Sequence, residues 1–164
     1  MGIVLAGATA VGKTTLARRM AREKGLRLVE IDTRRCMEIG LPLARQICFA
    51  HTVAAYTLKP CDDCIYDNSL LTVYAYTQIL AEMKHAAAFE ELLSLVKRLA
   101  LIEMSLHKVI LVKPRRGEHG KRIRMKALLG GYEGDPLWWR IDHEQAQSIL
   151  EEIAKSWQIE TVET

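Results

Sequence analysis

Residues 7 to 14 read Gly7-Ala8-Thr9-Ala10-Val11-Gly12-Lys13-Thr14, an octet bounded by glycines and closed by a lysine and a hydroxyl. The pattern G-x-x-x-x-G-K-[ST] forms a loop whose backbone N–H groups wrap phosphate oxygens. It carries that meaning only with a strand before it and a helix after it. Both are legible here. Ile3-Val4-Leu5 is a short apolar run suited to a buried strand. From Thr15 to Lys24, Leu16, Ala17, Met20 and Ala21 share one helical face, and Gly25 supplies a stop. The helix start offers unpaired N–H groups and the positive end of a dipole to an anion. The cradle is therefore expected from Gly7, Ala8, Thr9, Ala10, Val11, Gly12, Lys13, Thr14 and Thr15. Lys13 is expected on the β- and γ-phosphates, and the Thr14 hydroxyl on Mg2+.

The remaining composition narrows the setting. The 164 residues suit one domain with a full core, and 49% hydrophobic with 26% charged residues is ordinary for a globular chain. A net charge of +3 makes no global case for nucleic-acid binding. No apolar run approaches the roughly 18 residues of a membrane span. No targeting segment is read before the first strand, and the expected location is cytoplasmic. The cysteines, Cys36, Cys48, Cys61 and Cys64, are then expected as thiols, without a disulfide framework.

Taken in order, Leu26 to Asp32 reads as a second strand ending on a carboxylate. Ligands of open α/β sheets bind beyond the carboxyl ends of strands, so Glu30 and Asp32 are candidates for a site, although Asp32 equally suits a helix cap. Arg34 and Arg35 follow. Thr33 to Lys59 reads as helix in two pieces broken at Gly40-Leu41-Pro42, with Leu43, Ile47, Ala50, Ala54 and Leu58 as the core stripe and His51 packed beside it. Cys61-Asp62-Asp63-Cys64 is a C-x-x-C segment. It lacks the second ligand pair of a structural zinc, so a plain loop or a disulfide is the expectation ahead of a metal site. A short third strand, Cys64-Ile65-Tyr66, leads to Asp67-Asn68-Ser69. A helix apolar nearly all round follows to Lys84, which marks it as buried or pocket-lining. A further helix, about 86 to 106, carries Phe89, Leu92, Leu93, Val96, Leu99, Ile102 and Leu106. The run His107 to Pro114 contains a fourth strand covered on both faces. It lacks the Asp-Glu pair of a hydrolytic motor. A fifth strand is expected at Leu137-Trp138-Trp139-Arg140-Ile141, and a capped helix at Asp142-His143-Glu144-Gln145.

Between Lys113 and Lys126 stand seven basic residues, Lys113, Arg115, Arg116, Lys121, Arg122, Arg124 and Lys126, against Glu118 alone. Gly117, Gly120 and Gly130-Gly131 give this stretch freedom. A basic flap over a polyphosphate excludes water and neutralises charge on a phosphoryl group in flight. No aromatic residue interleaves the run, which disfavours single-strand nucleic-acid binding.

Three stretches together resemble the P-loop nucleoside and nucleotide kinases, thymidylate kinase-like members especially. GATAVGKTTLARRMA is similar to their phosphate loop and its helix. Asp67-Asn68-Ser69, with Tyr74 and Tyr76 downstream, is similar to their Asp-Arg-(Ser/Tyr) element, and the arginine-rich segment to their lid. The resemblance implies a P-loop α/β fold with a five-stranded parallel sheet of order 2-3-1-4-5. It also implies a lid over about 113–131 and Asp67 beside the phosphate loop. Two departures stand out. Asn68 replaces the family's arginine, and Glu30-Ile31-Asp32-Thr33-Arg34 lacks the Glu-Pro element after the second strand.

The reading is an ATP- and Mg2+-dependent phosphotransferase acting on a small acceptor, with nucleosides and nucleotides the first candidates. Lys13, Asp32, Asp67, Arg122 and Arg124 are its expected catalytic residues, with Asp32 as base. Thr14 and Asp67 are the expected metal ligands. A regulatory ATP-binding protein or slow ATPase acting through a protein partner is the alternative, and nucleic-acid binding through 113–126 a third. Under either ATP-dependent reading, Lys13→Ala abolishes tight ATP binding while circular dichroism shows the fold intact.

Overall fold

The computed structural model describes residues 1–129 and 143–164. Five parallel strands form one sheet in the order β2-β3-β1-β4-β5. They are β1 (Gly2–Ala6), β2 (Arg27–Val29), β3 (Cys64–Tyr66), β4 (His107–Lys113) and β5 (Glu160–Glu163). The helices are α1 (Lys13–Lys24), α2 (Arg34–Met37), α3 (Pro42–Thr57), α4 (Leu70–Lys84), α5 (Ala87–Leu106), α6 (His119–Leu128) and α7 (His143–Ser156). Each parallel pairing requires a crossover, and the helices supply it. β1 is buried along its whole length, and Val109 to Val112 are buried in β4. Such two-sided burial explains their unbroken apolar sequences.

The expected sheet order and the first four strands are found. Among the described residues the fifth strand of the sheet is one that the sequence reading did not mark. β5 is Glu160–Glu163, which pairs with Ile110–Lys113 of β4. It is an edge strand with exposed glutamates and one aliphatic residue, so it has little hydrophobic pattern to read. Leu137–Ile141, the Asp142 cap and Gly130-Gly131 lie outside the described residues.

Two helical faces are turned from expectation. On α3 the buried residues are Arg45, Gln46, Phe49, Ala50, Val53 and Thr57, whereas Ile47 is exposed and so is His51. Arg45 is tolerated inside because its guanidinium donates to the Ile39 carbonyl, capping the turn before the helix. On α5 the buried series is Phe89, Leu92, Val96, Ala100 and Glu103, and Ile102 faces outward. The cysteines are joined as Cys36–Cys48 and Cys61–Cys64: the second pair is one of the two expectations for the C-x-x-C segment, whereas the first departs from the expected thiols.

Glu103 explains the turn of α5. Its carboxyl is fully buried and meets the start of α4: it accepts from Ser69 Oγ at 2.5 Å and from the Leu70 N–H at 3.0 Å. Ser69 Oγ in turn accepts from the Leu71 N–H as the N-cap. Buried donors at a helix start require such acceptors. Burial pushes the Glu103 carboxyl above its ordinary 4.5, against the downward pull of those donors. A raised carboxyl pKa in the folded state means stability is fullest at or below the unfolded value and declines as pH rises through the folded one. Glu103→Gln, which mimics the protonated form, should flatten that decline in denaturant titrations above about pH 4.5. Glu103→Ala should cost about 2–4 kcal/mol by orphaning the donors.

Candidate active site

The loop between β1 and α1 is built by geometry that only certain residues allow. At Gly7, φ is +153°, and a Cβ there would lie 2.7 Å from Val11 Cγ2 and 2.8 Å from the Val112 carbonyl oxygen. Gly12 caps α1 at φ +98°, in the left-handed region. Ala10 also takes a positive φ, 66°.

Side chains distant in sequence brace the loop's peptides. The Gly7 N–H donates to Thr72 Oγ1 (3.1 Å), the Ala8 N–H to Gln147 Oε1 (3.0 Å) and the Thr9 N–H to Tyr76 Oη (3.0 Å). His119 Nε2 bonds the Thr9 carbonyl at 2.8 Å, and Tyr76 Oη meets His143 Nδ1 at 2.9 Å. Arg122 donates to the Val11 carbonyl, which also accepts from Thr164 Oγ1. The first part of the loop is thus fixed by α4, α6 and α7. The N–H groups at the start of α1, which have no intrahelical acceptor, remain to receive an anion.

Lys13 folds back over this loop. Its ammonium donates to the carbonyls of Gly7 (2.6 Å) and Ala8 (2.9 Å). Burial, with the charge of Lys126 adding to it and Asp67 opposing, lowers its pKa to about 8. Beside it, Thr14 Oγ1 donates to Asp67 Oδ2 at 2.9 Å, while Asp67 Oδ1 accepts the Ile31 N–H at 2.9 Å. Asp67 therefore ties the ends of β2 and β3 to the phosphate loop. Two adjacent oxygen donors, one anionic, suit a hard divalent cation such as Mg2+.

A cleft of about 320 Å³ opens from these groups. Its floor is Thr9, Ala10 and Gly12 to Thr15 of the loop, and Asp67, Asn68, Thr72 and Tyr76 form one side. Thr33 and Met37 at α2, with Gln46 and Phe49 of α3, form the other, and Lys126 of α6 reaches its rim. Gln46 is buried, and its Nε2 donates to Thr77 Oγ1 (2.8 Å) and the Val73 carbonyl (3.2 Å). Thr77 Oγ1 spends its own hydrogen on that same carbonyl (2.7 Å), so it must accept from Gln46. The Gln46 carbonyl oxygen is what that leaves for the cleft.

The expected site residues separate into two groups. Lys13, Thr14, Asp67 and the loop come together. Asp32 does not line the cleft: its carboxylate is clamped by Arg34 at 2.6 and 2.9 Å, which holds it well below the usual range. Arg122 lies behind the loop, beside a second depression shared with Arg19, Arg115 and Thr164. Arg124 is exposed on α6 and lines neither space. Tyr76 reaches the cleft, whereas Tyr74 stacks on Trp157. Sequence reasoning missed Thr72, Gln147, His119, Gln46 and Phe49, and named Lys126 only as one of seven basic residues of the flap. Thr72 and Tyr76, like His143 and Gln147, are four apart on one helix, a spacing that puts both members on one face. The polar pair inside the otherwise apolar α4 was the available signal.

No family model matches this sequence, and no curated protein of similar sequence was found. Solved structures do match. A deoxyadenosine kinase from M. mycoides, solved with dCMP and dCDP, superposes with a TM-score of 0.73 at 15% identity, over 100% of this chain and 89% of that one. This is the fold of the P-loop nucleoside and nucleotide kinases. A thymidylate kinase from Candida albicans matches with a TM-score of 0.59 at 15% identity, over 99% of this chain and 82% of its own. The YorR protein of Bacillus subtilis, solved in complex with phosphorylated GDP, gives 0.55 at 14%, over 100% and 85%.

The lowered pKa of Lys13 has a measurable consequence. A bound polyphosphate raises that pKa again, so the complex takes up a proton wherever free Lys13 is neutral. Triphosphate affinity should be level below pH 8 and fall by up to about tenfold per unit above it. Calorimetry in buffers of different ionisation enthalpy should show the proton uptake at pH 9, and Lys13→Met should abolish it.

Proposed function

We propose that this protein is an ATP-dependent phosphotransferase whose acceptor is a nucleoside or nucleotide carrying an exocyclic amino group. One observation supports this above the rest: the cleft beside the phosphate loop continues into a space that is half apolar and ends on the Gln46 carbonyl oxygen. A hydrolytic switch has no need of such a space, whereas an acceptor base does. Phe49, Met37 and Val73 offer an apolar wall, and the Gln46 oxygen accepts from an amino group but repels a ring carbonyl.

In this reading Lys13 and the amides at the start of α1 hold the β- and γ-phosphates. Thr14 and Asp67 hold Mg2+, which supplies charge neutralisation on the polyphosphate when bound. The second depression, about 470 Å³ beneath Arg115 and Arg122, receives the donor's nucleoside. The segment about 113–131 acts as the lid, and Lys126 is its cation that borders the cleft among the described residues. Asp67 is the one carboxylate lining the cleft among the described residues, so the reading assigns no base to Asp32. Loose phosphoryl transfer depends on positioning and charge more than on proton abstraction.

The regulatory alternative draws on Asn68. Its Oδ1 accepts from the Ser69 N–H at 2.9 Å, an interaction that offers no charge to an acceptor phosphate. The two readings part on acceptor dependence. With a panel of nucleosides and nucleotides, labelled ATP should yield labelled product for adenine and cytosine acceptors at least about tenfold better than for thymidine, the discrimination of one buried hydrogen bond. Gln46→Leu should erase that preference. A single slow rate of ADP formation, whatever is added, would refute the kinase.

A further inference from the structure

The Cys61–Cys64 pair lies at the opposite end of the sheet from the phosphate loop, at the amino ends of β2 and β3, and the reaction above makes no use of it. Its surroundings are those of a reactive pair. Cys61 is partly exposed and Cys64 is buried. The Arg27 guanidinium, from the paired strand β2, lies 3.3 Å from Cys61 Sγ and 3.1 Å from Cys64 Sγ. Asp63 Oδ1 stands 3.1 Å from Cys61 Sγ, and 3.9 Å from both Cys64 Sγ and the Arg27 guanidinium, so the carboxylate lies nearer Cys61 than Cys64. The Arg27 backbone N–H also donates to the Asp63 carbonyl at 2.6 Å, which fixes the main chain that carries the guanidinium beside the pair. The other pair is different. Cys36 is buried and its Sγ lies 3.5 Å from the Thr52 hydroxyl, a neutral neighbour.

We propose that Cys61–Cys64 is a thiol–disulfide exchange site, reduced by external dithiols, with Arg27 stabilising the departing thiolate. A thiolate of the dithiol attacks Cys61 Sγ, the accessible sulfur. The Cys61–Cys64 bond breaks and its electron pair leaves on Cys64 Sγ, facing Arg27. The dithiol's second thiolate then attacks its own sulfur in the mixed disulfide and releases Cys61. The dithiol becomes a disulfide, the pair gains two electrons, and solvent supplies the protons. A better-stabilised leaving thiolate departs faster and favours the reduced form. Sequence separation acts in the same direction. A link spanning 3 residues restrains the unfolded chain less than one spanning 12, so folding protects it less against reduction.

The test is a redox titration of the full chain in mixtures of reduced and oxidised dithiothreitol, with alkylation and peptide mass mapping of each cysteine. It needs no nucleotide and is independent of the kinase reading. The Cys61–Cys64 midpoint should lie well above that of Cys36–Cys48. Arg27→Met should make Cys61–Cys64 about tenfold harder to reduce, about 30 mV, and leave the other pair unmoved. Arg27→Lys should fall nearer the original. Coincident midpoints in the unaltered chain would overturn the proposal, and so would an equal shift of both pairs or no shift in Arg27→Met.

Discussion

Everything at the site depends on holding a buried ammonium and a row of aimed N–H groups in place before any anion arrives. Lys13 loses hydration on burial and recovers part of it from the Gly7 and Ala8 carbonyls. Those carbonyls can serve only if their peptides do not rotate. The N–H groups of Gly7, Ala8 and Thr9 are therefore tied to Thr72, Gln147 and Tyr76. Preorganisation of this kind removes the reorganisation cost from the binding step.

The braces come from helices that carry other duties. Thr72 and Tyr76 sit on α4, whose first turn is held by Ser69 and Glu103, and Asp67 lies just before that turn. Asp67 in turn bonds Thr14 and the Ile31 amide. Core, helix start and cleft are thus linked by a short chain of hydrogen bonds. The buried carboxyl of Glu103, remote from the cleft, supports the element that places the cleft's own acid.

What could be read in advance followed from local rules. The octet 7–14 needs its glycines for backbone reasons, and the strands β1, β3 and β4 are buried runs that periodicity marks plainly. The faces of α3 and α5 were misjudged because Arg45, Gln46 and Glu103 occupy interior positions that hydrophobicity assigns to Ile47 and Ile102. Each polar residue is inside because a partner elsewhere satisfies it: the Ile39 carbonyl, Thr77, or the start of α4. Such partners cannot be inferred from one helix. β5 escaped for the converse reason. Its pairing with β4 is a backbone interaction that leaves almost no trace in side-chain pattern.

The sequence by itself determined the phosphate loop, the alternation of strands and helices, and the acid that follows β3, because each is written within a dozen neighbouring residues. The tertiary structure alone decided that Gln46 spends its amide nitrogen on Thr77 and Val73, that Asp32 is taken by Arg34, that Arg122 stands behind the loop, and that the cysteines pair as they do. Those are choices among competing hydrogen-bond and bonding partners. The winner in each case is set by which elements the sheet brings side by side.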